Sequence, residues 1–152
     1  MTQKAWPEFN EPGDLPPGIH QATLSEVIAY FGQETVKRRL LGQRLERIYR
    51  LVRATGYLYR FIIFGSFVTS KPFPGDVDIF ILMDDLFDAR QLAGEARLIF
   101  DHLTAQNYEG ASIFWLRRLA VLDSEEATVA HWQVKRDGTK RGIVEVIGYD
   151  QE

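Results

Sequence analysis

Apolar positions along the chain follow two different periods, and the change from one to the other marks out its elements. Leu41, Leu45, Ile48 and Val52 recur at the spacing of one helix face, which predicts a long helix over residues 33–54 with Gly56 as its stop. Just ahead of it, Thr23-Leu24-Ser25-Glu26 matches a capping box and predicts a short helix ending near Gly32. The continuous run from Leu58 to Phe64 is rich in aromatic and β-branched residues and reads as a buried strand. Val77-Asp78-Ile79-Phe80-Ile81-Leu82 predicts a second strand, and residues 86–106 predict a helix capped by Asp84 or Asp85. A third strand is expected over residues 112–116 and a short helical turn over residues 125–130. Residues 131–134 and 143–147 flank a polar loop holding Asp137-Gly138, the signal of a hairpin. These elements predict an α/β (α+β) fold with a mixed sheet of about five strands flanked by helices.

The segment before Thr23 has a different texture. Pro7, Pro12, Gly13, Pro16, Pro17 and Gly18 predict an extended N-terminal arm over residues 1–22, either mobile or laid across the domain. Residues 23–152 then form one domain, since no composition shift, repeat or low-complexity tract divides them.

Composition narrows the class. Hydrophobic residues at 45% and charged residues at 26% are ordinary for a globular protein, and no apolar stretch is long enough to span a bilayer. The opening residues lack the apolar run of a signal peptide, so the expected compartment is the cytoplasm. With no cysteine, thiolate nucleophiles, disulfides and Cys-based zinc sites are excluded. His20, His102 and His131 show no metal-ligand spacing, and His102 reads as structural. A net charge of −3 argues against a general nucleic-acid coat protein. The charge is nevertheless uneven, with basic runs over residues 37–53 and 135–141 and acids gathered over residues 76–88. The basic helix reads as solvated on its outer side.

The stretch from Phe64 to Asp78 carries the candidate chemistry. A Gly65-Ser66 turn leaving a buried strand lets backbone N–H groups approach an anion, and the Ser66 hydroxyl adds a donor. Asp76 and Asp78 stand two apart at the start of a strand and therefore share a face. Parity puts Asp78 with Phe80 and Leu82, where an unpaired carboxylate is costly and a metal ion would compensate it. Magnesium, a hard ion that takes oxygen ligands, suits such a pair. Two ions about 3.5–4 Å apart could align a hydroxyl with the α-phosphate of a nucleoside triphosphate. A plain turn at Gly65-Ser66 and a Pro-Gly-Asp turn at Asp76 are the alternative.

A strand, Gly-Ser, a connector of about ten residues and Asp-x-Asp opening the next strand resemble the nucleotidyltransferase superfamily that includes DNA polymerase beta and the minimal nucleotidyltransferases of prokaryotes. The resemblance covers roughly residues 57–106, and the flanking segment from Leu15 to His20 is similar to an uncharacterised prokaryotic branch of nucleotidyltransferase-like proteins. It implies magnesium-dependent transfer of a nucleoside monophosphate from a nucleoside triphosphate to a hydroxyl on a protein, an RNA or a small molecule. Asp76 and Asp78 would be catalytic metal ligands, and Gly65 and Ser66 would hold phosphate. The superfamily places a third carboxylate on the strand that here reads Ala111-Ser112-Ile113-Phe114-Trp115-Leu116, without an acid. Glu145 is the candidate substitute, as metal ligand or general base, with an edge-strand glutamate as the alternative; Asp123 is a weaker one.

Ser70 and Lys71 in the connector either touch the β- or γ-phosphate or belong to a surface turn. Lys135, Arg136, Lys140 and Arg141 either hold a nucleic-acid backbone or are solvated strand-end charges. Trp115 and Trp132 either stack on a base or fill the core. A second expectation is a binding protein on the same fold that has lost catalysis. It would be a nucleotide sensor or half of a toxin–antitoxin or defence pair with a small helical partner protein.

Overall fold

The sheet at the centre of this protein, seen in a computed structural model that describes residues 4–101 and 110–148, has five strands. They are β1 (Ile19–Ala22), β2 (Leu58–Phe64), β3 (Val77–Met83), β4 (Ala111–Arg117) and β5 (Ile143–Val146), in the spatial order β1-β5-β2-β3-β4. β1 runs parallel to β5 and β3 parallel to β4, while β2 is antiparallel to both β3 and β5. The mixed α/β architecture expected from the periodicity is the one observed.

Helices α1 (Leu24–Phe31) and α2 (Val36–Ala54) follow β1. The capping box forms as read: Thr23 Oγ1 accepts from Glu26 N–H and Glu26 Oε1 accepts from Thr23 N–H. α2, expected from residue 33, starts at Val36 with Thr35 as its cap. Leu41, Leu45, Ile48 and Val52 are buried in one core with Phe61, Ile63, Ile79, Ile81 and Ile113 from the strands. Alternation then sends Ile62, Phe80 and Leu82 to the other face. There they meet Val129 of the short helix α4 (Glu125–His131) and Trp132 just beyond it. Among the described residues no helix is long and apolar enough to cross a membrane.

Three segments differ from expectation. Residues 19–22, read as the end of the arm, form the edge strand β1, because β5 supplies a ladder no local pattern announces. The rest of the arm lies across the domain: Leu15 is fully buried, and Trp6 stacks on Tyr30 and meets Phe31 edge-on. The helix predicted from residue 86 starts later, as α3 (Gly94–Ile99) after a 3-10 turn at Ala89–Gln91. Asp84 and Asp88 side chains accept from Leu86 and Arg90 N–H, closing turns where a helix would have to run. Phe100 caps the end of α3, and residues 102–106 of that prediction, with His102, lie outside the described residues. Finally, His131 is the last residue of α4, so the expected hairpin shrinks to a single bridge between Val134 and Lys140.

Candidate functional site

β2 ends at Phe64, and Gly65 leaves it at φ 79°, a conformation that costs a glycine nothing and other residues much. A 3-10 turn over Ser66–Val68 follows. The N–H groups that open such a turn have no acceptor inside it, and the half-buried Ser66 hydroxyl stands beside them. Phe64 pairs with Asp78, and Asp78 with Ser112, so these three side chains form a row across β2, β3 and β4. A Cβ built on Gly65 would overlap the Asp78 carboxylate. The turn and the acid therefore touch.

Asp76 approaches the same place, and its Oδ2 accepts from Ser112 Oγ at 2.8 Å. Burial first, then the charge of Asp76 and a hydrogen bond to it, push the Asp78 carboxyl up to about 7. Arg141 and Ser112 pull it part of the way back. At neutral pH the two carboxylates thus share negative charge that solvent does not fully relieve. Oxygen donors this close fit one hard divalent cation. Among the described residues no third acid or histidine joins them. Ser112 occupies the position opposite Asp78 on β4.

Glu145 lies on the same sheet face but not at the pair. It sits opposite Ile62, one row along and two strands across from Asp78, a Cα separation of about 12 Å from strand spacing and rise. Its carboxylate is held by Arg60 through two bonds of 2.8 and 2.9 Å, and only 8% of the residue is exposed. A glutamate so held is a structural ion pair. Asp123 is exposed on its loop. Asp84 closes a turn, and Asp85 accepts from Leu119 N–H. Trp115 packs with Phe87 and Phe100, while Trp132 lies against Phe64, Phe80 and Phe114.

Ser70 and Lys71 are both exposed, midway along the connector. Ser70 N–H donates to Gly13 of the arm, and the Lys71 carbonyl accepts from Arg38. Arg38 is a residue the sequence reading missed, since it took the basic helix as solvated. It is 3% exposed and spreads five N–H bonds over the carbonyls of Phe31, Phe67, Thr69 and Lys71. Burial pushes its pKa down, against the opposing charge of Glu34. One planar guanidinium therefore fixes the path of the connector after the Gly65-Ser66 turn. Its only sequence signal is its place in the first turn of α2, nearest the connector.

Asp14, also unremarked in the sequence, is a buried arm carboxylate bonded to Lys135 at 2.9 Å and 3.8 Å from Arg141. The apolar Leu15 beside it was the one hint that this part of the arm is anchored.

No curated protein and no solved structure matches the chain. A match to a protein family extends over residues 7–147, from the arm through the Gly65-Ser66 turn and the aspartate pair to the end of β5. The chain belongs to that family, DUF6932, described as a family of unknown function.

Proposed function

We propose that this protein binds a magnesium–nucleoside triphosphate at Asp76 and Asp78 and transfers the nucleoside monophosphate to a hydroxyl of a protein, an RNA or a small molecule, with pyrophosphate as the leaving group. The observation that carries this reading is the contact between the Asp78 carboxylate and Gly65, which joins a carboxylate pair to a turn suited to phosphate. Asp76 and Asp78 are the residues that would hold magnesium, with Ser112 orienting Asp76 by its hydrogen bond. Magnesium, when bound, would neutralise phosphate charge and polarise the α-phosphorus. The Ser66 hydroxyl and the N–H groups opening the turn would receive phosphate oxygens, and Arg38 keeps that turn in shape.

Calorimetric titration of each nucleoside triphosphate with magnesium tests the binding step. Metal-dependent binding lost in Asp76→Asn/Asp78→Asn is the expected result; no binding by well-folded wild type would refute the reading.

A second reading keeps the binding and drops the transfer, as in a nucleotide sensor or one half of a toxin–antitoxin or defence pair with a helical partner. Two observations favour it: Ser112 stands opposite Asp78 on β4, and Glu145 is committed to Arg60. Labelled triphosphate incubated with cell extract separates the two. Transfer of label abolished by Asp78→Asn supports the enzyme; tight binding without any pyrophosphate release supports the sensor.

A further inference from the structure

The N-terminal arm places a carboxylate between two cations at the edge of the candidate site. The Asp14 side chain, 8% exposed, bonds Lys135 Nζ at 2.9 Å and lies 3.8 Å from Arg141 Nη1. Both cations are themselves about three-quarters covered, with side-chain exposures of 26% and 24%. Asp14 is also tied to the connector: it bridges Thr69 backbone to backbone, and the neighbouring Gly13 carbonyl accepts from Ser70 N–H at 2.9 Å. The arm thus crosses the connector a few residues beyond the Gly65-Ser66 turn. The charge of Arg141 in turn reaches Asp78, whose ionisation it favours. Arg141 therefore couples the arm's carboxylate to Asp78, and Lys135 holds the same arm carboxylate beside it.

Charge in this cluster is unbalanced. Two partly buried cations share one buried carboxylate, and the exposed Arg136 and Lys140 of the same loop outnumber its single acid, the exposed Asp137. Removing Asp14 would take from both cations the carboxylate they share, leaving Lys135 with the exposed Asp137 and Arg141 with the charge of Asp78, a deficit that an incoming anion relieves. Phosphate oxygens accept the same charge-assisted bonds as a carboxylate and bring more charge to them. The arm need not detach for such an exchange. Leu15 is fully buried on one side of Asp14, and Trp6 stacks on Tyr30 on the other.

We infer that Lys135 and Arg141 form a polyphosphate-binding site that Asp14 occupies as a built-in competitor, so that the arm gates entry of a phosphate chain beside Asp76 and Asp78. This deepens the nucleotide reading of the site and rests on it for the identity of the natural ligand. Its probe, inorganic tripolyphosphate without metal, keeps the two separable.

The test is calorimetric titration of the full chain with tripolyphosphate in magnesium-free, low-salt buffer. Asp14→Asn should bind roughly tenfold more tightly than wild type. That gain should vanish in Asp14→Asn/Lys135→Gln/Arg141→Gln. Unchanged or weaker binding by Asp14→Asn, with circular dichroism showing a folded chain, overturns the inference. Should Asp14→Asn fail to fold, Lys135→Gln/Arg141→Gln in the wild-type background decides: lost binding supports the site, and retained binding overturns it. Asp76→Asn/Asp78→Asn should keep metal-free tripolyphosphate binding. Loss of magnesium–nucleotide binding alone in that variant bears on the aspartates and leaves the arm's role standing.

Discussion

The carboxyl group of Asp78 rests against the Cα of Gly65, in the space that a side chain at residue 65 would fill. Gly65 also holds φ 79°, so an alanine there meets two obstacles at once: a strained backbone and an overlapping carboxylate. Gly65→Ala should lower stability by about 2–4 kcal/mol, read from urea unfolding, because strain and overpacking each cost about 1–3 kcal/mol. It should also abolish magnesium–nucleotide binding, by pushing Asp78 away from the turn. A Gly65→Ala protein of wild-type stability would mean that the contact is loose enough to yield.

Protonation of Asp78 sets a pH dependence whose direction follows from the sign of its shift. The carboxyl is raised from 3.8 to about 7, chiefly by burial and then by Asp76. A raised carboxyl favours folding most below its unfolded value and loses that contribution as pH rises through the folded one. In chelator-containing buffer the melting temperature of wild type should therefore fall between pH 5 and pH 8 relative to Asp78→Asn, which has no proton to lose there. Magnesium at pH 8 should restore wild type and leave Asp78→Asn unmoved. Parallel curves for the two proteins would show that Asp78 ionises without strain.

Arg38 should prove essential to the connector although no sequence pattern marked it. Substituting methionine keeps the length of the stem but leaves the carbonyls of Phe67, Thr69 and Lys71 without this donor. The expected loss is on the order of 3–5 kcal/mol in guanidinium unfolding. Lysine should recover little of it, since an ammonium cannot reach carbonyls on both sides of a planar fork. Full rescue by Arg38→Lys would reduce the role of Arg38 to its charge.

What the sequence made legible follows from how local each signal is. β2, β3 and β4 stand out because each is a continuous run of β-branched and aromatic residues, and the Thr23 capping box closes within four positions. β1 is four residues long, and its partner β5 lies more than a hundred positions away, so nothing near Ile19 could announce it. The stretch after β3 misled in the opposite way: its polar caps were visible, but Asp84 and Asp88 spend them on tight turns. The Gly65-Ser66 turn and the aspartate pair were readable as a local pattern. Arg38 and Asp14 were not, because burial of a charged side chain depends on what folds over it, and both covers come from distant segments.

Glu145 provides the sharpest separation between a structural and a chemical role. Arg60 takes both its oxygens at 2.8 and 2.9 Å, and the pair sits on the sheet face with 15% and 10% of the side chains exposed. A second ion-pair partner of Arg60, Glu126, is 3.5 Å away and 81% exposed, too solvated to replace Glu145. Glu145→Gln keeps the shape but leaves the Arg60 charge poorly compensated, and should destabilise the fold by about 3 kcal/mol. Arg60→Met/Glu145→Leu removes both charges together and should recover much of that loss, since an apolar pair carries no desolvation cost. Both proteins should bind magnesium–nucleotide as wild type does, because Glu145 lies a row along and two strands across from Asp78. If Glu145→Gln were instead fully stable and lost only nucleotidyl transfer, its carboxylate would have to leave Arg60 during the reaction and serve as the base.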